Sequence, residues 1–278
     1  MQNFKKLTLG GEAPSWAALE GETFLPPPED YFKTAERVFL DGFGMVDTCF
    51  FNPGFYFSYQ KSEEGKTHYG SMDPIQMIYS TTFLEDGEKR ERIFEGVVDF
   101  FGWFSDEAKR FLRNPNVLLE ENVVRELEEF RRNSRVIGRR SSDMDEIKGF
   151  KEAMEAIEMY WCFGLNSLVR DGRGLDGSEE TQFTEAIDKN NLMKRWGANP
   201  VDKAIINAAF MYAEQVKGQE KPVYILSRDI PLLKTGEDLG RILRERGKKE
   251  APKVRPYFFS SNGKLIHHKI PERLKSYD

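Results

Sequence analysis

The chain has 278 residues, a formal net charge of −5, and 39% hydrophobic and 31% charged residues, which is the composition of a soluble globular protein. The negative charge argues against a protein that coats nucleic acid non-specifically, and no run approaches the ~18 apolar residues of a membrane span. Three histidines and two cysteines do not favour a histidine-rich zinc site, and without a signal sequence they predict a cytoplasmic protein.

The first third of the chain alternates between turn signals and apolar runs. Residues 1–35 are predicted to form an extended N-terminal arm, because Gly10-Gly11 and Pro26-Pro27-Pro28 punctuate them. A strand is predicted to end at Asp47, and the polar residues 61–71 are predicted to form a surface loop.

Helical periodicity dominates the middle of the chain. Residues 73–113 are predicted to be mostly helical, a short strand is predicted at 117–119, and helices are predicted at 121–132 and 150–169. The glycines of DGRGLDG have G-x-G-x-x-G spacing, but they follow a helix rather than a strand, so a loop is predicted there instead of a dinucleotide site.

The last third alternates helix and strand. Asn199-Pro200 predicts a capped helix that ends near Gly218, and the apolar run after Pro222 predicts a strand. A helix, the strand VRPYFF and a turn at Ser261-Asn262-Gly263 follow. This alternation predicts an α/β fold, in which ligands bind beyond the carboxyl ends of parallel strands.

Carboxylates stand where such a site would form. Two apolar runs stop on acids, and two helices carry a further acid each on their inner face or first turn. In chain order the four acids are Asp47, Glu126, Asp202 and Asp229.

The order of these four acids resembles the PIN-domain nucleases. The matching segments, between residues 37 and 260, are MVDTCFF, ENVVRELEEF, PVDKAIINAAF and VYILSRDIPLL. The resemblance implies a PIN-like nuclease domain over residues 36–278, with a central, mostly parallel sheet flanked by helices. A helical insertion at about 131–198 and a C-terminal hairpin complete the predicted domain.

The chemistry of the family explains the acids. Hydrolysis of a phosphodiester bond needs an activated water and a positive charge on the phosphoryl oxygens, and Mg²⁺ or Mn²⁺ supplies both. Hard cations take oxygen ligands, and a bound cation offsets the repulsion between crowded carboxylates. By resemblance, the four acids are catalytic metal ligands, Thr48 and Ser227 orient acids or water, and RNA is the favoured substrate.

The chain also departs from the family pattern. Cys49 stands where the family often has asparagine, Arg228 precedes the fourth acid, and the interval from Glu126 to Asp202 is longer than in compact members. That interval begins with arginines that could bind substrate phosphates, or could form a solvated face: Arg131, Arg132, Arg135, Arg139 and Arg140.

Each acid also has a structural alternative. Asp47, Asp202 and Asp229 could cap helices, and Glu126 could lie on a solvated flank. Three functional alternatives therefore stay open: an RNA nuclease, a structure-specific DNA nuclease, and a PIN-like module that binds RNA or protein partners without cleaving. A homo-oligomer or a protein partner is compatible with each.

Overall fold

The computed structural model describes residues 18–19, 22–25, 31–51, 58–63, 66–71, 74–129, 144, 146–160, 174–246, 251–259 and 265–267. The strands are β1 (Ala18–Leu19), β2 (Glu22–Leu25), β3 (Phe43–Val46), β4 (Ser58–Glu63), β5 (Lys66–Ser71), β6 (Val117–Glu120), β7 (Gly174–Leu175), β8 (Val223–Ser227), β9 (Val254–Phe259) and β10 (Leu265–His267). The helices are α1 (Tyr31–Val38), α2 (Pro74–Thr82), α3 (Gly87–Leu112), α4 (121–129), α5 (Phe150–Met159), α6 (Gln182–Lys189), α7 (Leu192–Trp196), α8 (Pro200–Gln215) and α9 (Ile230–Glu245).

The chain divides into two compact units. The described residues of the first unit fall within Met1–Phe32, Asn52–Phe111 and Leu127–Asp171. Those of the second unit fall within Lys33–Phe51, Leu112–Glu126 and Gly172–Asp278.

The first unit combines an antiparallel sheet with an aromatic helical core. Its four-stranded sheet has the order β1-β2-β4-β5, with antiparallel pairing throughout. The helical prediction for residues 73–113 is confirmed by α2 and α3, and in α3 the apolar residues Ile93, Val97, Phe100, Phe101 and Phe104 are all buried. The rings of Phe100 and Phe104 stack with their centroids 5.4 Å apart.

The structure corrects one prediction in this unit. Residues 61–71 are not a surface loop, because β4 and β5 pair over their whole length from Ser58↔Ser71 to Glu63↔Lys66. Polar composition lowers strand propensity, but pairing with neighbouring strands can outweigh this effect. Strand β4 pairs with β5 on one side and with β2 on the other. The predicted arm, residues 1–35, contributes β1 and β2 to this sheet and the start of α1.

The second unit contains a six-stranded sheet with the order β10-β9-β8-β3-β6-β7. Its neighbouring strands run parallel, except that β10 pairs antiparallel with β9 and forms the predicted C-terminal hairpin. All residues of β3, β6 and β8 are buried, as in the central strands of a sheet that is covered by helices. The predicted α/β fold, a mostly parallel sheet flanked by helices, is confirmed.

Helix α8 has both a strong start signal and a buried body. The Asn199 side chain accepts hydrogen bonds from the backbone N–H groups of Val201 and Asp202, and Pro200 occupies the first turn. The helix is buried from Ala204 to Phe210, and most of these residues are isoleucine, alanine or phenylalanine. The predicted helix is therefore confirmed, with its end at Gln215.

The predicted insertion, about 131–198, lies partly outside the described residues. Its described part contains α5, β7, α6 and α7. The loop predicted for DGRGLDG is wrong at Gly174–Leu175, which adds to β6 as a parallel edge strand. Two paired residues carry too little periodicity to mark a strand in the sequence.

Among the described residues, no helix has the length and apolar character required to cross a membrane.

Candidate active site

The first predicted acid, Asp47, follows β3 at the carboxyl edge of the six-stranded sheet. Its backbone N–H donates to the carbonyl of Leu226 at 3.2 Å, which continues the pairing of β3 with β8. Its side chain is buried and makes no capping hydrogen bond to the short 3₁₀ helix that follows. The capping alternative is therefore wrong for Asp47.

Ser227 connects the acids at the ends of β3 and β8. Its hydroxyl donates to Oδ2 of Asp47 at 2.6 Å and accepts the backbone N–H of Asp229 at 2.8 Å. Ser227 is almost completely buried, so these two bonds fix the Asp47 carboxylate relative to the Asp229 backbone.

Glu126 reaches the same edge of the sheet from α4. The Thr48 hydroxyl donates a short hydrogen bond to Oε2 of Glu126. Val123 and Leu127 on the same helix are buried, and Glu126 is half-buried. The solvated-flank alternative is therefore wrong for Glu126.

Asp202 occupies the first turn of α8 and is buried. Its Oδ2 accepts the backbone N–H of Asn199 at 2.7 Å, so the two side chains form a reciprocal capping box. Asp229 likewise caps α9, because its Oδ1 accepts the N–H of Leu232 at 3.4 Å. The capping alternative is thus confirmed for both residues, and it coexists with their place in the cluster.

The charges show that the four acids share one environment. Burial first, and then the negative charges of Asp229, Asp47 and Glu126, raise the pKa of Asp202 to about 6. Burial, together with the charge of Asp47, also raises the pKa of Asp229. The charges of three acids therefore act on Asp202 in the folded protein, although the four acids lie up to 182 positions apart in the sequence, from position 47 to 229.

The four carboxylates accept hydrogen bonds from groups of the protein itself. Among the described residues, no group of three or more histidine, cysteine, aspartate or glutamate side chains is arranged to hold a metal ion. Within that part of the chain, Asp47, Asp202 and Asp229 each use one oxygen for the hydrogen bonds given above, and the second oxygen accepts none. The donor set is made of oxygen atoms, which suits a hard cation.

Cys49 contacts the first of the four acids through its thiol. Its Sγ lies 3.0 Å from Oδ2 of Asp47 and accepts the backbone N–H of Arg228 at 3.3 Å. Burial and the neighbouring Asp47 charge raise the pKa of the Cys49 thiol well above its usual range. The thiol therefore stays protonated and donates to Asp47.

The predicted phosphate-binding arginines lie outside the described residues. These are Arg131, Arg132, Arg135, Arg139 and Arg140. Within the second unit, a cavity of about 540 Å³ is lined by Lys217, Lys221, Lys253 and Glu220. It lies next to the amino-terminal ends of β8 and β9, the opposite edge of the sheet from the four acids, so it belongs to a different surface.

Sequence reasoning missed one buried acid at the carboxyl edge. Glu120 ends β6 and is fully buried, and the pairing of Met45 with Leu118 places it level with Asp47. The signal was the same one that identified Asp47, an apolar run that stops on an acid. Asn207, fully buried in α8, was also missed, because nothing in the sequence distinguishes it from other polar residues on a helix.

Comparison of the chain with protein-family models, with curated proteins and with solved structures found no match in any of the three.

Proposed function

We propose that this protein is a metal-dependent nuclease of the PIN-like type, which hydrolyses phosphodiester bonds, with RNA as the favoured substrate. The observation that supports this most directly is the raised pKa of Asp202, which is due to burial and then to the charges of Asp229, Asp47 and Glu126. Four carboxylates that repel one another at the ligand-binding edge of a parallel sheet are destabilising unless a cation compensates them.

The four acids would hold Mg²⁺ or Mn²⁺, which when bound supplies an activated water and offsets charge on the phosphoryl oxygens. The chain's own residues orient the acids. Ser227 fixes Asp47 relative to Asp229, Thr48 fixes Glu126, and the protonated Cys49 directs Oδ2 of Asp47. The unengaged oxygens of Asp47, Asp202 and Asp229 are the atoms that we assign as ligands.

The decisive experiment compares two aspartates that flank the same strand. Asp47 follows β3, whereas Asp41 precedes it and accepts a hydrogen bond from the Tyr224 hydroxyl at 2.9 Å. We expect Asp47→Asn and Asp229→Asn to abolish cleavage of single-stranded RNA in Mn²⁺, and Asp41→Asn to retain it. Asparagine keeps an acceptor oxygen in each position, so the metal-free melting temperature should stay unchanged or rise slightly as repulsion is relieved.

Calorimetry supplies the second readout. The parent protein should bind Mn²⁺ with defined stoichiometry, and a Mn²⁺ concentration of 100 times Kd should stabilise it by about 2.7 kcal/mol. The Asp47→Asn and Asp229→Asn variants should gain much less. If both variants melt earlier without metal and still cleave RNA, the two acids have a structural role only and the proposed site is wrong.

Two alternative functions give different results in the same assays. A non-catalytic module would bind RNA or a protein partner, and neither RNA cleavage nor stoichiometric Mn²⁺ binding would be detected. A structure-specific DNA nuclease would bind Mn²⁺ but cleave branched or flapped DNA in preference to RNA. Cytoplasmic location and a possible homo-oligomer stay predictions from the sequence.

A further inference from the structure

Glu120 fixes the start of the helix that carries Glu126. Its Oε2 accepts the backbone N–H of Asn122 at 2.7 Å, and its Oε1 accepts the Asn122 side-chain amide at 3.0 Å. Asn122 lies in the first turn of α4, one turn before Glu126. A side chain that satisfies the free N–H groups of a first turn sets where and in which direction the helix begins.

The same carboxylate also reaches the segment that packs on α8. Oε1 of Glu120 accepts the backbone N–H of Gly177 at 3.4 Å. The carbonyl of Gly177 in turn accepts the side-chain amide of Asn207 at 2.9 Å. That amide also donates to the carbonyl of Glu179 at 2.8 Å, and its oxygen accepts the Thr181 hydroxyl at 2.6 Å.

Gly177 lies in direct backbone contact with α8. A Cβ atom at this position would stand 2.0 Å from the carbonyl oxygen of Ala204, so only glycine allows this approach. Ala204 is two residues from Asp202 in the same helix. The chain of contacts from Glu120 through Gly177 to Asn207 therefore connects the start of α4 to the first half of α8.

Burial of a carboxylate is unfavourable in free energy, and a purely structural contact does not require one. Burial raises the pKa of Glu120, and its N–H donors lower it only in part. Apolar residues of similar size commonly replace buried charges at little loss of stability, so stability alone does not explain an acid here. Both Glu120 oxygens accept N–H donors, which distinguishes this acid from Asp47, Asp202 and Asp229, whose second oxygens accept none from the described residues.

We propose that Glu120 is a positioning residue which, through Gly177 and Asn207, sets the distance between Glu126 on α4 and Asp202 on α8. The effect of Glu120 on metal affinity rests on the proposed function, whereas the effect of Glu120 on the geometry of the two helices does not. Residues that orient metal ligands typically change metal affinity 10–100-fold when they are replaced.

The test uses two substitutions that break the connection at different points. In Glu120→Gln, one oxygen can still accept the Asn122 N–H, but the new amide group faces the donors of Gly177 and the Asn122 side chain. In Asn207→Ala, the Gly177 carbonyl loses its partner. We expect each variant to bind Mn²⁺ about 10–100-fold more weakly at a temperature where it is fully folded, and the double variant to lose less than the product of the two effects.

Asp238→Asn is the matched control. Asp238 is an equally buried acid of the second unit, and it accepts the indole N–H of Trp196 at 2.9 Å and pairs with Arg241 at 3.0 Å. We expect this variant to melt at a lower temperature, as Glu120→Gln does, but to keep the parent's Mn²⁺ affinity. A loss of Mn²⁺ affinity in Asp238→Asn equal to that in Glu120→Gln would reduce Glu120 to a general stabilising role.

Crystal structures of the metal-free parent and Glu120→Gln proteins provide a readout that does not depend on the proposed function. We expect the separation of the Glu126 and Asp202 carboxylates to change by about 1 Å, a displacement large enough to impair catalysis. An unchanged separation overturns the positioning role, even if the parent binds Mn²⁺ well. If the parent binds no Mn²⁺, the proposed function fails, and the carboxylate separation still decides the role of Glu120.

Discussion

At the residue scale, individual carboxylates of this protein serve two purposes. Asp202 caps α8 through Oδ2 and Asp229 caps α9 through Oδ1, and the other oxygen of each accepts no hydrogen bond from the described residues. A capping bond needs only one carboxylate oxygen, so the second remains for a cation. Capping and metal binding are therefore compatible in one side chain, and identifying a cap does not exclude a ligand.

The raised pKa of Asp202 predicts how stability depends on pH. The ordinary value of 3.8 rises to about 6 in the folded protein, so between these values the native state holds a proton that the unfolded state has lost. The contribution of Asp202 to the unfolding free energy should therefore be largest below about pH 4, and it should be lost as the pH rises through 6. A rise in the Asp202 pKa from 3.8 to about 6 corresponds to a change of roughly 3 kcal/mol in the unfolding free energy.

Urea denaturation in EDTA at several pH values checks this prediction against the Asp202→Asn variant. Asparagine can still accept the Asn199 N–H, so the cap is retained while the titrating group is removed. The difference in unfolding free energy between parent and variant should change between pH 4 and 7, with the variant becoming relatively more stable at the higher pH. The variant keeps part of the slope, because burial also raises the pKa of Asp229 and Glu120. Parallel curves for the two proteins would show that Asp202 titrates normally.

At the element scale, the start of α8 is the point where local and tertiary interactions meet. Asn199 accepts two N–H groups of the first turn, and Asp202 returns a bond to the Asn199 N–H. The helix body is buried, so its position in the fold is set by packing, while its first residue is set by the cap.

Asn199→Ala separates the cap from the cluster. The substitution removes the acceptor for the N–H groups of Val201 and Asp202 but leaves the Asn199 backbone N–H that binds Asp202. We expect a loss of about 0.5–2 kcal/mol in thermal or chemical unfolding, of the same size with and without Mn²⁺. A loss that occurs only in Mn²⁺ would mean that Asn199 acts on the metal site and not on the helix.

At the scale of the whole molecule, the net charge of −5 constrains how a nucleic acid could bind. Attraction of a polyanion to an acidic protein needs a local basic surface. The sequence offers the arginines between positions 131 and 140, and the second unit offers the lysine-lined cavity at the sheet edge opposite the acids. Because the acids are assigned as the cleavage site, we predict that the arginines contact the substrate.

Two triple variants with the same change in charge test this prediction. Replacing Arg131, Arg132 and Arg135 by alanine should weaken binding of a short single-stranded RNA and reduce the slope of log affinity against log salt by up to about 2. Replacing Lys217, Lys221 and Lys253 by alanine should change both quantities less. Binding is measured in EDTA in the Asp47→Asn background, so that the RNA stays intact. Equal effects of the two triple variants would indicate attraction by overall charge alone.

The elements whose signals are local could be predicted from the amino-acid sequence. The apolar runs of β3 and β8 each stop at an acid, and the Asn-Pro start of α8 and the stripe of α3 are short patterns that hold in almost any tertiary context. From these patterns the α/β class and the place of Asp47 and Asp229 at the carboxyl edge could be predicted, because the carboxyl ends of parallel strands meet at one edge of a sheet.

Features that depend on partners distant in the chain could not be predicted from the sequence. The polar strands β4 and β5 form because they pair with each other and because β4 also pairs with β2, and their own composition contains no such signal. Glu120 acquires its role from Gly177, 57 residues away, and the pKa of Asp202 depends on acids from three other elements. Backbone pairing, burial and Coulomb interactions act through space, so sequence patterns that extend over a few residues cannot encode them.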